Sequence, residues 1–210
     1  MFIDNGVQFA SLLDFNVTAG SYTSDAIVID SSRASSGSRY GYDAERHVVL
    51  NVRAINSNND GVGISFRTTG GNIISFITGY IHINGFSDGI FLDTSDNVIN
   101  GNFPTIFVVN STNLIHHSGS SNANSIFYGQ LQPAGGGATD RIIYNEGTAE
   151  SITFFGQAWD AGDTSVSALD GEKINVFILG EGTFGLSKNS SNASTDTVVI
   201  GMAAGGKFRF

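Results

Sequence analysis

Two Asp-Gly dipeptides, Asp60-Gly61 and Asp88-Gly89, lie 28 residues apart within matching octapeptides. The first reads Ile55-Asn56-Ser57-Asn58-Asn59-Asp60-Gly61-Val62, the second Ile83-Asn84-Gly85-Phe86-Ser87-Asp88-Gly89-Ile90. If the copies stack as neighbours, the carboxylates come to about 5 Å from each other, the separation at which a retaining glycosidase holds its acid and its nucleophile. One of the pair would then keep its proton near neutral pH, because like charges at short range raise one pKa. The competing reading is turn chemistry: Asp and Gly make tight corners, and a repeated corner repeats its residues. The turn reading is preferred, and under it Asp60→Asn and Asp88→Asn leave any glycan affinity nearly unchanged.

Aromatic and imidazole side chains offer binding rather than reaction. Trp159, the single tryptophan, stands beside Asp160 in the loop-like stretch Gln157-Ala158-Trp159-Asp160-Ala161-Gly162-Asp163. Rings take the apolar faces of sugars while carboxylates and amides bond the hydroxyls, so both residues are glycan-binding candidates; packing of the Trp against a neighbouring strand or subunit is the alternative. Tyr80 and His82 are the other candidates, sharing the strand face opposite Ile81 and Ile83. His116 and His117, adjacent on a strand, point to opposite faces and do not share a metal. Asp93 and Asp96 lack the ligand spacing of a calcium loop. The chain has no Gly-x-Ser-x-Gly elbow, no phosphate-binding Gly-Lys-Ser/Thr loop and no cysteine, so neither a metal nor a cofactor is expected.

These residues need strands to position them. Apolar runs close on Ile55 and Ile83, and new ones open at Val62 and Ile90 after each corner. A second corner recurs as Gly71-Asn72-Ile73-Ile74 and Asp96-Asn97-Val98-Ile99, and degenerate copies of the first end on Asn110 and Asn145. A period of this length means one supersecondary unit stacked on its own copies. Stacking places Ile55 on Ile83 and Val62 on Ile90 as apolar columns, with Asn56 on Asn84 as a ladder of side-chain amides. The reading divides the chain into an N-terminal cap or attachment segment (1–46), a repeating body (47–180), and a polar linker with a C-terminal β-hairpin (181–210). The hairpin joins residues 198–202 to 207–210 through Ala203-Ala204-Gly205-Gly206.

Composition agrees. Twenty-seven Gly against two Pro, with 40% apolar residues, is a turn-rich β composition that can bury a core. The net charge of −9 disfavours nucleic acid, whose phosphates need a basic surface. The opening Met1-Phe2-Ile3-Asp4-Asn5-Gly6 lacks the basic and apolar regions of a secretory signal, and no apolar run reaches membrane length, so no membrane insertion is expected.

The succession Ile-Asn-x-x-x-Asp-Gly-Ile and Asp-Asn-Val-Ile-Asn-Gly-Asn over residues 83–102 resembles successive coils of a right-handed parallel β-helix. This is the pectate-lyase-like superfamily, which also supplies bacteriophage tailspikes; the resemblance covers roughly residues 47–180. It implies an all-β solenoid and a virion protein of the spike or fibre type, acting outside a cell without a signal peptide. A homotrimer is implied, with host-surface polysaccharide and other virion proteins as partners. The polygalacturonase strings Asp-Asp, Gly-His-Gly and Arg-Ile-Lys are missing, as is the pectate-lyase Arg-x-Pro-x-x-Arg, so no catalytic residue carries over. Since fold does not imply function, a polysaccharide hydrolase or lyase and a purely structural virion connector stand as alternatives.

Overall fold

The computed structural model describes residues 2–3, 9–21, 23–30, 47–68, 74–75, 77–95, 99–102, 104–119, 123–133, 141–146, 152–158, 167–171, 174–178, 183–187, 200–202 and 207–209. Among them the regular structure is all strand, with no helix. In chain order the strands are β1 (Phe2–Ile3), β2 (Phe9–Ala19), β3 (Asp25–Asp30), β4 (His47–Asn56), β5 (Val62–Arg67), β6 (Ile74–Ser75) and β7 (Ile77–Asn84). There follow β8 (Asp88–Asp93), β9 (Ile99–Asn102), β10 (Thr105–Ser111), β11 (Asn113–Ser118), β12 (Ala123–Pro133) and β13 (Arg141–Asn145). The last are β14 (Ile152–Ala158), β15 (Ser167–Gly171), β16 (Ile174–Ile178), β17 (Thr183–Ser187), β18 (Ile200–Met202) and β19 (Lys207–Arg209).

They form two sheets in which every pairing is parallel. Sheet A runs β1-β3-β5-β8-β11-β13-β15-β17-β19, and sheet B runs β2-β4-β7-β10-β12-β14-β16-β18, with the short β9 paired to β12 and β6 paired to β9. The chain thus passes back and forth between the sheets, adding to each one strand further on. This arrangement is compatible with a parallel β-helix, and its all-β, all-parallel character agrees with the expectation from the repeat.

The core lies between the sheets as columns of like residues. Ile27, Ile64, Ile90, Ile115 and Ile143 are Cα partners strand to strand in sheet A, and each is fully buried. In sheet B, Ala54, Ile83, Val108 and Leu131 form the matching buried column. Each large side chain so removed from water contributes about 1.5–3 kcal/mol. Because neighbouring parallel strands lie about 4.8 Å apart, branched side chains in one column touch along its whole length.

Two expectations are corrected. The C-terminal hairpin does not form: β18 pairs in parallel with β16 in sheet B, and β19 in parallel with β17 in sheet A. Pairing the two segments with each other would have left the β16 and β17 edges without hydrogen-bond partners, whereas continuing the sheets satisfies both. The stacking offset is also not a uniform 28. Ile55 stands beside Asn84 in sheet B, an offset of 29, while Val62 stands beside Asp88 in sheet A, an offset of 26. The reason is corner length: β4 ends at Asn56 and β5 starts at Val62, whereas β7 ends at Asn84 and β8 starts at Asp88. Ile55 therefore does not cover Ile83, nor Val62 Ile90, nor Asn56 Asn84. The amide partner of Asn84 is Asn110, whose Nδ2 donates to Asn84 Oδ1 at 3.0 Å.

Candidate functional site

Corner length also puts the two aspartates at different register positions. Asp60 lies in the turn before β5, where it accepts hydrogen bonds from Asn56 Nδ2 (2.6 Å to Oδ1) and Ser21 Oγ (2.6 Å to Oδ2). Asn56, itself buried, also donates to the Asp60 carbonyl at 2.9 Å and accepts from the Asn58 amide at 3.2 Å, so one side chain closes the corner. Asp88 is the first residue of β8, with Val62 rather than Asp60 as its strand neighbour. The two carboxylates sit in different hydrogen-bond sets and are not register partners.

Asp88 instead belongs to a network across three strands of sheet A. The burial pattern of β8 and β11 places two inward residues in succession, so the outward positions fall three apart: Asp88 and Phe91, Asn113 and His116. On β13 the corresponding residues are Arg141 and Tyr144. His116 Nδ1 lies 3.1 Å from Asp88 Oδ1, and its Nε2 lies 3.3 Å from Glu146 Oε2. Asn113 Nδ2 donates to Asp88 Oδ1 at 2.7 Å, and Arg141 Nη1 donates to Asn113 Oδ1 at 3.3 Å. The His116 ring stacks on Tyr144 at 4.7 Å, Phe91 flanks it at 4.9 Å, and the Arg141 guanidinium lies 4.2 Å over the Tyr144 ring. Tyr144 Oη donates to Glu146 Oε1.

An imidazole that faces an acceptor at each nitrogen bonds to both only as the imidazolium, which has no lone pair left for a metal. Burial pushes His116 down, but the hydrogen bonds and charges of Asp88 and Glu146 outweigh it and raise its pKa. Partial burial pushes Glu146 up, but hydrogen bonds from Tyr144 and His116 hold it below the usual carboxylate range. The neighbouring His117 points inward, with Nδ1 2.6 Å from Asn145 Oδ1 and Nε2 2.8 Å from Thr94 Oγ1, and burial lowers its pKa.

The raised His116 pKa makes its contribution to stability fully present below its unfolded value near 6.5 and lost as pH rises through the folded value. His117 and His82, both lowered, act in the opposite sense, losing stability as pH falls below 6.5, so the parent's own pH profile is a composite. The difference between the parent and His116→Gln isolates the network. We expect that substitution to cost about 1–2 kcal/mol in urea unfolding at pH 6, and clearly less at pH 9. Equal cost at both pH values would show that the ring acts by packing alone.

Sheet B presents a different outward face. The three large apolar side chains exposed among the described residues, Leu13 (60%), Tyr80 (41%) and Tyr128 (42%), all belong to its strands. One outward column reads Asn51, Tyr80, Thr105, Tyr128, Phe155, and the next Arg53, His82, Phe107, Gln130, Gln157. Tyr128 and Phe155 stack at 5.4 Å with 14° between their planes, and His82 meets Phe107 edge-on at 4.9 Å. Gln130 Nε2 donates to Gln157 Oε1 at 3.0 Å. Partial burial, and then the Arg53 charge, lower the His82 pKa, so at neutral pH it is an uncharged ring with one donor and one acceptor.

The structure thus places Tyr80 and His82 together on the sheet B face and gives Asp60 and Asp88 different hydrogen-bond partners. Trp159 and Asp160 lie outside the described residues. Sequence reasoning missed Tyr144 and Glu146 as partners of His116, and Gln130 and Gln157 as companions of the two strand tyrosines, Tyr80 and Tyr128. Only the strand register assembles these groups. On sheet A the polar groups named above engage one another, whereas on sheet B the rings face solvent beside unionised amides, an arrangement suited to a ligand with apolar faces and many hydroxyls. No protein-family model matches the chain, and neither a curated protein nor a solved structure matches it.

Proposed function

We propose that this chain is a right-handed parallel β-helix of the viral spike or fibre type, which contacts host-surface polysaccharide through the outward face of sheet B and performs no chemistry on it. All-parallel sheets that share the chain strand by strand support the winding, and the coil-like residues 83–102 support the type. A homotrimer is the assembly such a spike would use. The observation that carries the binding reading is the pair of exposed tyrosines, Tyr80 and Tyr128, in one column and flanked by His82 and Gln130. A tyrosine ring open to water offers an apolar face and a hydroxyl tip together, the combination on which a sugar can stack and bond.

The test is calorimetric binding of surface polysaccharide from candidate bacterial hosts to the parent and to Tyr128→Ala. Loss of a stacking ring is expected to weaken binding by about 1–3 kcal/mol, by analogy with stacking platforms for bases. A modest loss of stability is expected, about 0.5–1.5 kcal/mol for the Tyr128–Phe155 stack, so binding is measured well below the melting temperature of the variant. Unchanged affinity in the variant, or release of reducing ends by the parent, would overturn the proposal.

A further inference from the structure

The aromatic column of sheet B has a missing rung. Tyr80, Thr105 and Tyr128 are Cα partners on β7, β10 and β12, and Thr105 is exposed. Phe155 on β14 stacks on one side of Tyr128, with nearly parallel planes. On the other side of Tyr128 the next strand offers only the short Thr105 side chain, and beyond it stands Tyr80. Two strand spacings separate the tyrosines by about 9.6 Å. A ring seated over Thr105 would lie about 4.8 Å from each, within the range at which rings stack. The neighbouring pair Tyr128 and Phe155 shows the spacing in use, at 5.4 Å.

The geometry points to a binding notch at Thr105, walled by Tyr80 and Tyr128, that takes one gluco-configured pyranose of a polysaccharide. This inference rests on the glycan-contact reading and names the sugar. A guest held between two rings needs two apolar faces. In the gluco configuration every ring hydroxyl is equatorial, so axial C–H bonds cover both faces, whereas the axial hydroxyl of a galacto or manno ring spoils one. Equatorial hydroxyls point sideways and downward, toward the Thr105 hydroxyl on the floor and toward His82 and Gln130, which lie two residues further along the wall strands on the same face. Those groups favour a sugar over an apolar aromatic guest, and the net charge of −9 disfavours a nucleotide.

The experiment titrates the full chain with cellotetraose, mannotetraose and a β-1,4-linked galactotetraose by ligand-observed NMR. It uses the parent, Thr105→Tyr, which fills the notch with the missing ring, and Tyr80→Ala, which removes one wall. The parent should bind the gluco oligosaccharide at least tenfold more tightly than the other two. Both variants should lose at least tenfold for it, and Thr105→Tyr should keep or raise the melting temperature because its ring completes the stack. If Thr105→Tyr fails to fold, Tyr80→Ala gives the same answer, since its side chain is already exposed. A parent that binds cellotetraose equally well when the notch is filled or unwalled overturns the notch but leaves glycan contact standing. Equal binding of the three sugars overturns the configuration argument. A parent that binds none of them, yet binds host polysaccharide, overturns the notch alone, while binding of no glycan at all removes both readings.

Discussion

Ile90→Ala is expected to lower the free energy of unfolding by about 2–5 kcal/mol, the range for deleting most of a large aliphatic side chain from a core. Ile90 is fully buried between Ile64 and Ile115 in the longest column of like residues in sheet A. The lost transfer energy is one part of the cost. The other is the cavity, and here relaxation is limited because both neighbouring strands are held by ladder hydrogen bonds on either side of the gap. Stacked units depend on their neighbours, so the loss should spread along the column rather than stay local. Urea unfolding of Ile90→Ala beside Phe91→Ala, whose side chain faces outward and is only partly buried, measures the contrast. A cost below about 1 kcal/mol for Ile90→Ala would mean that the column is not a packed core.

Gly129→Ala should be nearly as damaging, at about 2–4 kcal/mol, for a backbone reason. Gly129 has φ +138°, a conformation that L side chains rarely adopt, and a Cβ there would lie 1.9 Å from the Ile106 carbonyl oxygen and 2.9 Å from its carbon. The obstacle is main chain of the adjacent strand, so no side-chain rotation relieves it. Gly156 repeats the geometry one strand on, its would-be Cβ 2.0 Å from the Gly129 oxygen, so a shift at Gly129 meets a second close approach. Since Gly129 sits between Tyr128 and Gln130, the same substitution should also disturb the binding face. Gly20→Ala is the control: nothing lies within 4 Å of a Cβ there, and its effect should fall within about 0.5 kcal/mol of zero. Similar melting temperatures for Gly129→Ala and the parent would refute the close approach between β10 and β12.

The sequence showed several of the strands and the corner at Asn56 to Gly61. Ile55, Ile83 and Val62 lie at or next to strand ends as their local pattern announces, whereas β8 opens at Asp88, two residues before Ile90, and Asn56 and Asp60 do in the structure what their types suggest, bonding each other across a turn. The binding candidates were legible in part. Tyr80 and His82 share a face because alternate strand residues must, and that rule needs only the sequence. The equal spacing of the two Asp-Gly copies misled for a specific reason: it aligned the chemistry of two corners of different length, so Asp60 ended in a turn and Asp88 on a strand. The C-terminal apolar segments were correctly seen as strands, but their partners were taken to be each other rather than β16 and β17.

What the sequence alone determined is therefore local: the all-β character, the absence of cysteine, and, where a strand alternates regularly as β7 does from Tyr80 to Asn84, the face to which a side chain points. Which residues of different strands meet was decided only by the tertiary structure. His116 lies between Asp88 and Glu146, and Thr105 between Tyr80 and Tyr128, because of register. Side-chain direction alternates with a period of two from Tyr80 to Asn84 on β7, but on β8 and β11 two successive residues point inward, and register depends on how many residues each intervening corner absorbs. That number is settled by packing the inward columns together, since a slip of one residue would turn buried isoleucines out to water.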